Sequence, residues 1–405
     1  MKTHQRIHSQ YFTFADKPDD RFQLQDGSFF GPITLAYETY GELNAERTNA
    51  ILLFHALSGS HHAAGYNPKV RDAENLWMEE NHLGWWDDFI GPGRALDTDR
   101  YFVICVNYLG GCYGSTGPGS IDPETGKPYG KRFPTVAVQD VVNTQVRLLN
   151  HFGIDTLLAV VGGSLGGMMA MDFATRFPKR ARCVIPIASG ARATTLQKLC
   201  NFEQIFAIQN DPHFRFGDYY GDEPPTKGLM LARMISHKYF VHLLVMEDRA
   251  RGELVQEAGD LKGYKLRHQI ESYMLHQGKK FVRRFDANTY LRIIEMWQHF
   301  DLTARAGSSL VEALRPARQH RWLLFSIDSD VCFWPEDQAE IAEALEALGA
   351  TYQYITVHSY KGHDSFLLEP ELFTPHISFM LREAWDSLSA AAEPEPAPQR
   401  DPIYE

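Results

Sequence analysis

The sequence predicts an α/β fold in which a mostly parallel sheet is flanked by helices and carries an inserted helical lid. Three observations predict it. A G-x-S-x-G motif at residues 162–166 stands between a strand-like and a helix-like segment. Short apolar runs alternate with amphipathic segments along much of the chain, which is typical of a parallel sheet with crossover helices. The alternation stops after residue 188, and a long helical stretch follows before it resumes near residue 317.

Strands are predicted where short apolar runs suit buried positions in a parallel sheet. In chain order these runs cover residues 33–39, 50–54, 101–107, 157–161, 183–187, 322–327 and 352–357. Helices are predicted from apolar residues that recur at steps of three and four, and from proline as a stop signal. They cover residues 135–152, a segment after the motif that ends before Pro178, 335–348 and 375–387.

The same pattern divides the chain into one core and one insertion. Residues 1–188 and 317–389 are predicted to form the α/β core, and residues 189–316 the helical lid. The tail at 390–405 begins A-A-A-E-P-E-P-A-P. Such a composition buries little apolar surface, so we expect the tail to be disordered.

The overall composition is that of a globular protein, with 405 residues, 44% hydrophobic and 22% charged. The formal net charge of -11 argues against a nucleic-acid partner. No apolar run approaches the roughly 18 residues that a membrane span needs, and we expect no membrane association. Five scattered cysteines without C-x-x-C spacing favour reduced thiols, a cytoplasmic location and no zinc site.

Ser164 is the predicted nucleophile. A strand, a sharp glycine-rich turn and a helix would place its hydroxyl at an exposed elbow above the carboxyl edge of the sheet. A serine needs an adjacent base, and in folds with this elbow the acid and then the histidine follow it along the chain. Asp330 follows one late strand and His363 the next.

Each of these two assignments has a rival nearby. Asp328 precedes Asp330 by two residues, and we favour Asp330 because it lies further into the loop. His358 stands directly at the end of its strand, and we favour His363 because it follows a Gly-His turn.

Two backbone amides are the candidate oxyanion hole. One belongs to Leu165, the residue after the nucleophile, and the other to Leu57 in the turn after an early strand. The glycine-rich segment 107–117 lacks a phosphate-loop pattern, although it follows a strand end and is placed to line the mouth of the site. His61 and His62 have no further ligand at metal-binding spacing, and we expect no metal.

Several long motifs resemble the homoserine O-acetyltransferase family, and the resemblance runs from about residue 22 to 385. The residues that carry it are 54–59, 84–87, 91–93, 109–118, 162–168, 228–234, 285–290 and 362–367. The resemblance implies an α/β-hydrolase fold with a helical lid, a homodimer, and acyl transfer from acetyl-CoA to the hydroxyl of L-homoserine in methionine biosynthesis. No bound cofactor is implied, because acetyl-CoA is a cosubstrate.

The resemblance also implies residue roles. It assigns Ser164, Asp330 and His363 to the catalytic triad, and Arg233 and Asp364 to the amino acid substrate. A guanidinium suits the carboxylate of homoserine, and a carboxylate suits its ammonium group.

Some relatives of this kind use succinyl-CoA and some acylate serine. Segment 328–334 carries no arginine for a succinyl carboxylate, which favours the acetyl donor. A serine esterase or thioesterase with the same triad is the other alternative.

Overall fold

A computed structural model of the chain describes residues 4–252, 261, 263–305, 307 and 309–392. The strands within these ranges are β1 (Gln10–Phe14), β2 (Phe22–Gln23), β3 (Phe29–Phe30), β4 (Ile33–Tyr40), β5 (Ala50–Phe54), β6 (Phe102–Val106), β7 (Ile121–Asp122), β8 (Lys127–Pro128), β9 (Leu157–Gly163), β10 (Ala181–Ile187), β11 (Arg321–Ile327) and β12 (Thr351–Val357). The α-helices are α1 (Val138–His151), α2 (Leu165–Arg176), α3 (Thr195–Gln209), α4 (Thr226–Phe240), α5 (Leu243–Ala250), α6 (Gln269–Val282), α7 (Ala287–Gln298), α8 (Leu310–Leu314), α9 (Pro335–Ala347), α10 (Ser365–Leu368) and α11 (Pro370–Ala392).

Eight of these strands form one sheet in the order β1-β4-β6-β5-β9-β10-β11-β12. Strand β4 is antiparallel to both of its neighbours. The other six strands of the sheet, β6, β5, β9, β10, β11 and β12, run parallel to one another. The carboxyl ends of parallel strands meet at one edge of a sheet. The loops after β5, β9, β11 and β12 therefore converge on the same edge.

The central strands β5, β6 and β9 are buried along their full length, which explains why they read as continuous apolar runs. Helix α1 covers one face of the sheet with its buried apolar stripe. Its N-terminus is closed by Asp140, whose carboxylate accepts the backbone N–H of Ala137 at 2.8 Å. The long helix α11 packs into the apolar core on the other face.

The predicted α/β fold with a mostly parallel sheet is confirmed, with two differences at its ends. The edge strand β1 was not predicted, and it pairs with β4 from Gln10↔Tyr37 to Phe14↔Ile33. The last helix was expected to begin near Pro375, but it begins at Pro370 and contains Pro375. Pro370 takes the first helical position, where the missing N–H costs no hydrogen bond.

The helix α11 also continues through Ala392, three residues into the segment predicted as a disordered tail. Residues 393–405 lie outside the described residues.

Between β10 and β11 the structure places helices α3 to α8, and α4 packs against both α3 and α6. Capping is local: the carboxylate of Asp286 accepts the N–H of Thr289 at the start of α7 at 2.8 Å.

None of the described helices combines the length and apolar character that a bilayer-spanning segment requires. Within the same residues, no group of three or more histidine, cysteine or acidic side chains is arranged to hold a metal ion.

Candidate active site

Ser164 stands at a strained turn between β9 and α2. Its backbone has φ 58° and ψ -128°, a conformation that non-glycine residues adopt only where the surroundings enforce it. The enforcing contacts are visible. The Ser164 N–H donates to the carbonyl of Ile187 at 2.9 Å, and its carbonyl accepts the Ser189 hydroxyl at 2.7 Å. This geometry is that of the predicted elbow.

The glycines of the motif are required by close backbone approach. A Cβ at Gly162 would lie 2.2 Å from the carbonyl oxygen of Gly166, and one at Gly166 would lie 2.3 Å from that of Phe54. Strand β9, helix α2 and the end of β5 therefore meet at distances that exclude any side chain. The elbow depends on these residues having none.

Asp330 and His363 form a buried pair beside the elbow. The Asp330 Oδ2 and His363 Nδ1 atoms are 2.6 Å apart, and both side chains are almost fully buried. The other oxygen, Oδ1, accepts the backbone N–H groups of Cys332 at 2.7 Å and Phe333 at 2.9 Å. These bonds orient the carboxylate, which in turn orients the imidazole.

The two rivals pair with each other at the surface. His358 Nδ1 lies 2.8 Å from Asp328 Oδ2, with side chains 84% and 42% exposed. The structure therefore brings Asp330 and His363 together in the interior and keeps Asp328 and His358 apart from them. This separation favours the preferred assignment of acid and base.

Opposing effects set the pKa of His363. Burial is the largest, and it lowers the pKa. The charge of Asp330, its hydrogen bond and the charge of Asp364 together outweigh burial, so the net effect is a raised pKa. The pair thus stabilises the imidazolium that forms when His363 accepts a proton.

Ser164 and His363 line one cavity of about 340 Å³. His363 Nε2 is buried and makes no hydrogen bond within the described part of the chain, and it is the ring nitrogen available to accept a proton. No hydrogen bond joins it to the Ser164 hydroxyl in these residues. Such contacts are often loose before substrate binds.

Leu57 and Leu165 are the predicted oxyanion donors. Leu57 lines the cavity, and Leu165 is the first residue of α2. Neither backbone N–H is used by a hydrogen bond inside the described ranges, so both amides are free. The loop before Leu57 is held by His55, whose ring stacks on Tyr108 with centroids 3.6 Å apart.

Arg233 and Asp364 also line the cavity. Arg233, on α4, has its guanidinium over the rings of Phe281 and Phe240, at 5.0 and 5.7 Å from their centroids. Neither charged group makes a side-chain hydrogen bond or an ion pair within 4 Å across the residues that the structure describes. Burial raises the pKa of Asp364, and burial together with the charge of Arg284 lowers that of Arg233. The cavity therefore contains two buried groups of opposite charge.

His61 and His62 bind a buried carboxylate. His62 Nδ1 lies 2.7 Å from Glu38 Oε2, and His61 Nε2 lies 3.8 Å from Oε1. The same carboxylate accepts hydrogen bonds from the Tyr40 hydroxyl at 2.8 Å and the Asn67 amide at 2.7 Å. This buried cluster ties strand β4 to the loop that follows Leu57.

Three charged cavity residues were not identified from the sequence: Glu80, Lys280 and Arg284. The signal that could have found the two cations is the basic run K-K-F-V-R-R at residues 279–284, at the end of α6. Glu80 carries no such signal, because it lies in a single short helical turn at Glu79–Asn81, about 200 residues away along the chain.

Comparison with known proteins identifies the fold and then the family. The family model described as alpha/beta hydrolase fold matches residues 49–370. Together with the elbow and the buried Asp-His pair, this match defines an α/β-hydrolase-fold protein. Homoserine O-acetyltransferase of Deferribacter desulfuricans is 40% identical over 385 residues, covering 95% of this chain and 97% of that protein. The chain belongs to the homoserine O-acetyltransferase family.

Some other similar proteins are named for different activities. Homoserine O-succinyltransferase of Alkalilimnicola ehrlichii is 44% identical, over 88% of this chain and 91% of that protein. Among solved structures, homoserine O-acetyltransferase from Bacillus anthracis matches with a TM-score of 0.82 and 28% identity, over 93% of this chain and 98% of that one. Esterase E22 matches with a TM-score of 0.82 and 26% identity, over 93% of this chain and 100% of that one.

Proposed function

We propose that the protein transfers an acetyl group from acetyl-CoA to the hydroxyl of L-homoserine through an acyl-serine intermediate. The observation that carries the proposal is the pairing of two features in one cavity. Ser164 and His363, with Asp330 paired to the ring of His363, share this cavity with Arg233 and Asp364, two groups of opposite charge that have no ion-pair partner within the described residues. A hydrolase needs only the triad, whereas an amino acid acceptor needs both charges.

In the first half-reaction the Ser164 hydroxyl gives its proton to His363 Nε2 and attacks the thioester carbon. The amides of Leu57 and Leu165 stabilise the oxyanion. When the carbon–sulfur bond breaks, the imidazolium returns the proton to the leaving thiolate. Asp330 stabilises the imidazolium between these steps.

In the second half-reaction the homoserine hydroxyl gives its proton to His363 and attacks the acyl carbon. The bond to Ser164 breaks, and its oxygen takes the proton back. Arg233 binds the substrate carboxylate and Asp364 its ammonium group, which fixes the hydroxyl near the acyl carbon. The helical insertion between β10 and β11 acts as the lid that keeps water from the acyl-serine.

The test is release of free thiol from acetyl-CoA and from succinyl-CoA, each with homoserine, with serine and with neither. We expect fast release only with acetyl-CoA and homoserine, and an acetyl adduct on Ser164 by mass spectrometry when the amino acid is omitted. Ser164→Ala should lose the adduct and lower turnover by several orders of magnitude. Equal thiol release without an amino acid would indicate a thioesterase, and a preference for succinyl-CoA or serine would identify one of the other transferases.

Two further properties belong to this proposal. A homodimer is supported by an exposed apolar row on α3, formed by Leu199, Phe202 and Phe206. Light scattering after gel filtration tests it, and a monomeric mass at micromolar concentration would refute it. A cytoplasmic location is supported by the five cysteines, all of them free among the described residues.

A further inference from the structure

One wall of the cavity carries a charge cluster that the proposed reaction does not use. Glu80 Oε1 lies 3.0 Å from Arg284 Nε, and Glu80 Oε2 lies 2.5 Å from Lys280 Nζ. The single carboxylate of Glu80 therefore forms ion pairs with both cations. The three side chains are 18% to 52% exposed, so they line the cavity without being sealed from solvent.

The cluster lies beside the place where the acyl group must sit. Arg284 Nη1 donates to the carbonyl of Ser58 at 3.4 Å, and Ser58 directly follows Leu57, the candidate oxyanion donor. The Arg284 guanidinium lies over the Phe281 ring at 5.1 Å. Its backbone carbonyl accepts the Tyr113 hydroxyl. These contacts hold Arg284 at the oxyanion loop.

The charges decide which acyl chain this wall accepts. An arginine beside the acyl position would bind a terminal carboxylate through a charge-assisted pair of hydrogen bonds. Here the Arg284 guanidinium is already paired with the carboxylate of Glu80. A terminal carboxylate reaching this wall would also meet the negative charge of Glu80 at close range, which is unfavourable in a partly desolvated cavity.

We propose that Glu80 makes the enzyme select an uncharged acyl group, by occupying Arg284 and Lys280 and repelling acyl donors that end in a carboxylate. The inference rests on the proposed acyl transfer and names the residue that sets its donor. Glu80 is a specificity-determining residue that takes no part in bond making. The absence of an arginine in segment 328–334 is then not what excludes a succinyl group, because Arg284 lines the cavity.

The test uses Glu80→Gln with Glu79→Gln as its control. Glu79 is the neighbouring exposed residue of the same short helical turn. For each protein, kcat/KM is measured with acetyl-CoA and with succinyl-CoA at saturating homoserine, and the fold is checked by thermal melting. We expect the ratio of succinyl to acetyl kcat/KM to rise about tenfold or more in Glu80→Gln. The control should keep the wild-type ratio.

A second pair of variants keeps the test decisive. Glu80→Gln combined with Arg284→Met should lose the gain, because the freed guanidinium is what binds the new carboxylate. Should Glu80→Gln fail to fold, Glu80→Asp replaces it: the shorter side chain withdraws the carboxylate from Arg284, and we expect a smaller rise in the same ratio. An unchanged ratio in a folded variant overturns the inference. A wild-type protein without acyl transfer to homoserine would overturn the proposed function itself, which is a separate result.

Discussion

At the scale of single residues, the site depends on which of four late side chains pair with one another. Asp330 with His363 and Asp328 with His358 both lie at hydrogen-bonding distance, yet only the first pair is buried beside Ser164. A buried carboxylate–imidazole pair stabilises the protonated ring far more than an exposed one does, because water screens the exposed pair. Burial therefore distinguishes the two pairs functionally.

The first prediction separates the two aspartates. Asp330→Asn removes the charge that stabilises the imidazolium and should lower kcat by about three to four orders of magnitude. Asp328→Asn removes only the partner of an exposed histidine and should stay within about threefold of wild type. Steady-state kinetics with acetyl-CoA and homoserine measure both. A larger loss in Asp328→Asn would mean that the acid is wrongly assigned.

The second prediction concerns pH. His363 must be neutral to accept a proton, so activity falls as pH decreases through its pKa. Because that pKa is raised above the ordinary value of 6.5, the acidic limb of kcat/KM for acetyl-CoA should lie above pH 6.5. Asp330→Asn removes the charge that raises the pKa of His363 most, while the burial that lowers this pKa remains. The acidic limb of the residual activity should therefore move to lower pH. A limb below pH 6 in the wild type would contradict this.

The third prediction tests the amino acid site. Arg233→Ala should lower kcat/KM for homoserine about ten- to a hundredfold, because a bidentate charge-assisted contact is lost. Arg233→Lys should restore little, since an ammonium group does not reproduce the two-pronged geometry. Stopped-flow measurement of CoA release without homoserine should give a nearly wild-type rate. Lys227→Ala, an exposed change on the same helix, is the control.

A result in which Arg233→Ala slows both half-reactions equally would argue against a substrate role. It would indicate that the guanidinium supports α4 through its contacts with Phe240 and Phe281, or that it binds CoA.

At the scale of elements, the elbow works because three backbone segments approach without side chains between them. Gly162 is the next-to-last residue of β9, Gly166 lies in the first turn of α2, and Phe54 ends β5. At the start of α2, the Leu165 amide makes no hydrogen bond within the described residues, as is usual for the first N–H groups of a helix. The strained backbone of Ser164 is maintained by this packing.

The fourth prediction tests that packing. Gly162→Ala places a Cβ 2.2 Å from a backbone oxygen of Gly166, so strand and helix must separate. We expect a loss of about 2 kcal/mol or more in the free energy of unfolding, measured with urea, together with a large loss of activity. Gly252→Ala is the matched control, since the nearest atom to its Cβ among the described residues, the carbonyl oxygen of Arg249, is 3.7 Å away. Equal stability of the two variants would contradict the argument.

At the scale of the whole molecule, the buried Glu38 connects parts of the chain that the fold brings together. Its carboxylate binds Ser9 from the N-terminal segment, His62 and Asn67 from the loop after β5, and Tyr40 from its own strand. Burial alone would raise its pKa, but the hydrogen bond from His62 and the charges of His61 and His62 lower it overall. Glu38 therefore stays ionised inside the protein.

The fifth prediction follows from that pKa. A carboxylate with a lowered folded-state pKa contributes stability that is present above its unfolded value, near 4.5, and lost as pH falls through the folded value. Glu38→Gln should lower the free energy of unfolding by about 2 kcal/mol or more at pH 7. The difference from wild type should shrink as pH decreases below about 4.5. Glu46→Gln, an exposed change, should show neither effect in urea unfolding at pH 7 and pH 4.

The sequence by itself determined the features that depend on neighbours along the chain. The apolar runs marked the central strands, and the motif around Ser164 marked the elbow, because strand burial and tight turns each leave a local pattern of residue types. Chain order and loop position were enough to select Asp330 and His363. Edge strand β1 and the start of α11 left weaker patterns, since an edge strand is only half-buried and proline both starts and interrupts helices.

Only the tertiary structure decided which distant side chains meet. The pairing of Asp328 with His358, the burial of Glu38 among histidines, and the contact of Glu80 with Lys280 and Arg284 join residues between 23 and about 200 positions apart. No local pattern encodes such contacts, because they depend on how distant segments pack in the folded chain, and the contact of Glu80 depends on how the insertion packs against the core. The buried pairing of Asp330 with His363 agrees with the order predicted from sequence, whereas the charge balance of the cavity beside it required the fold.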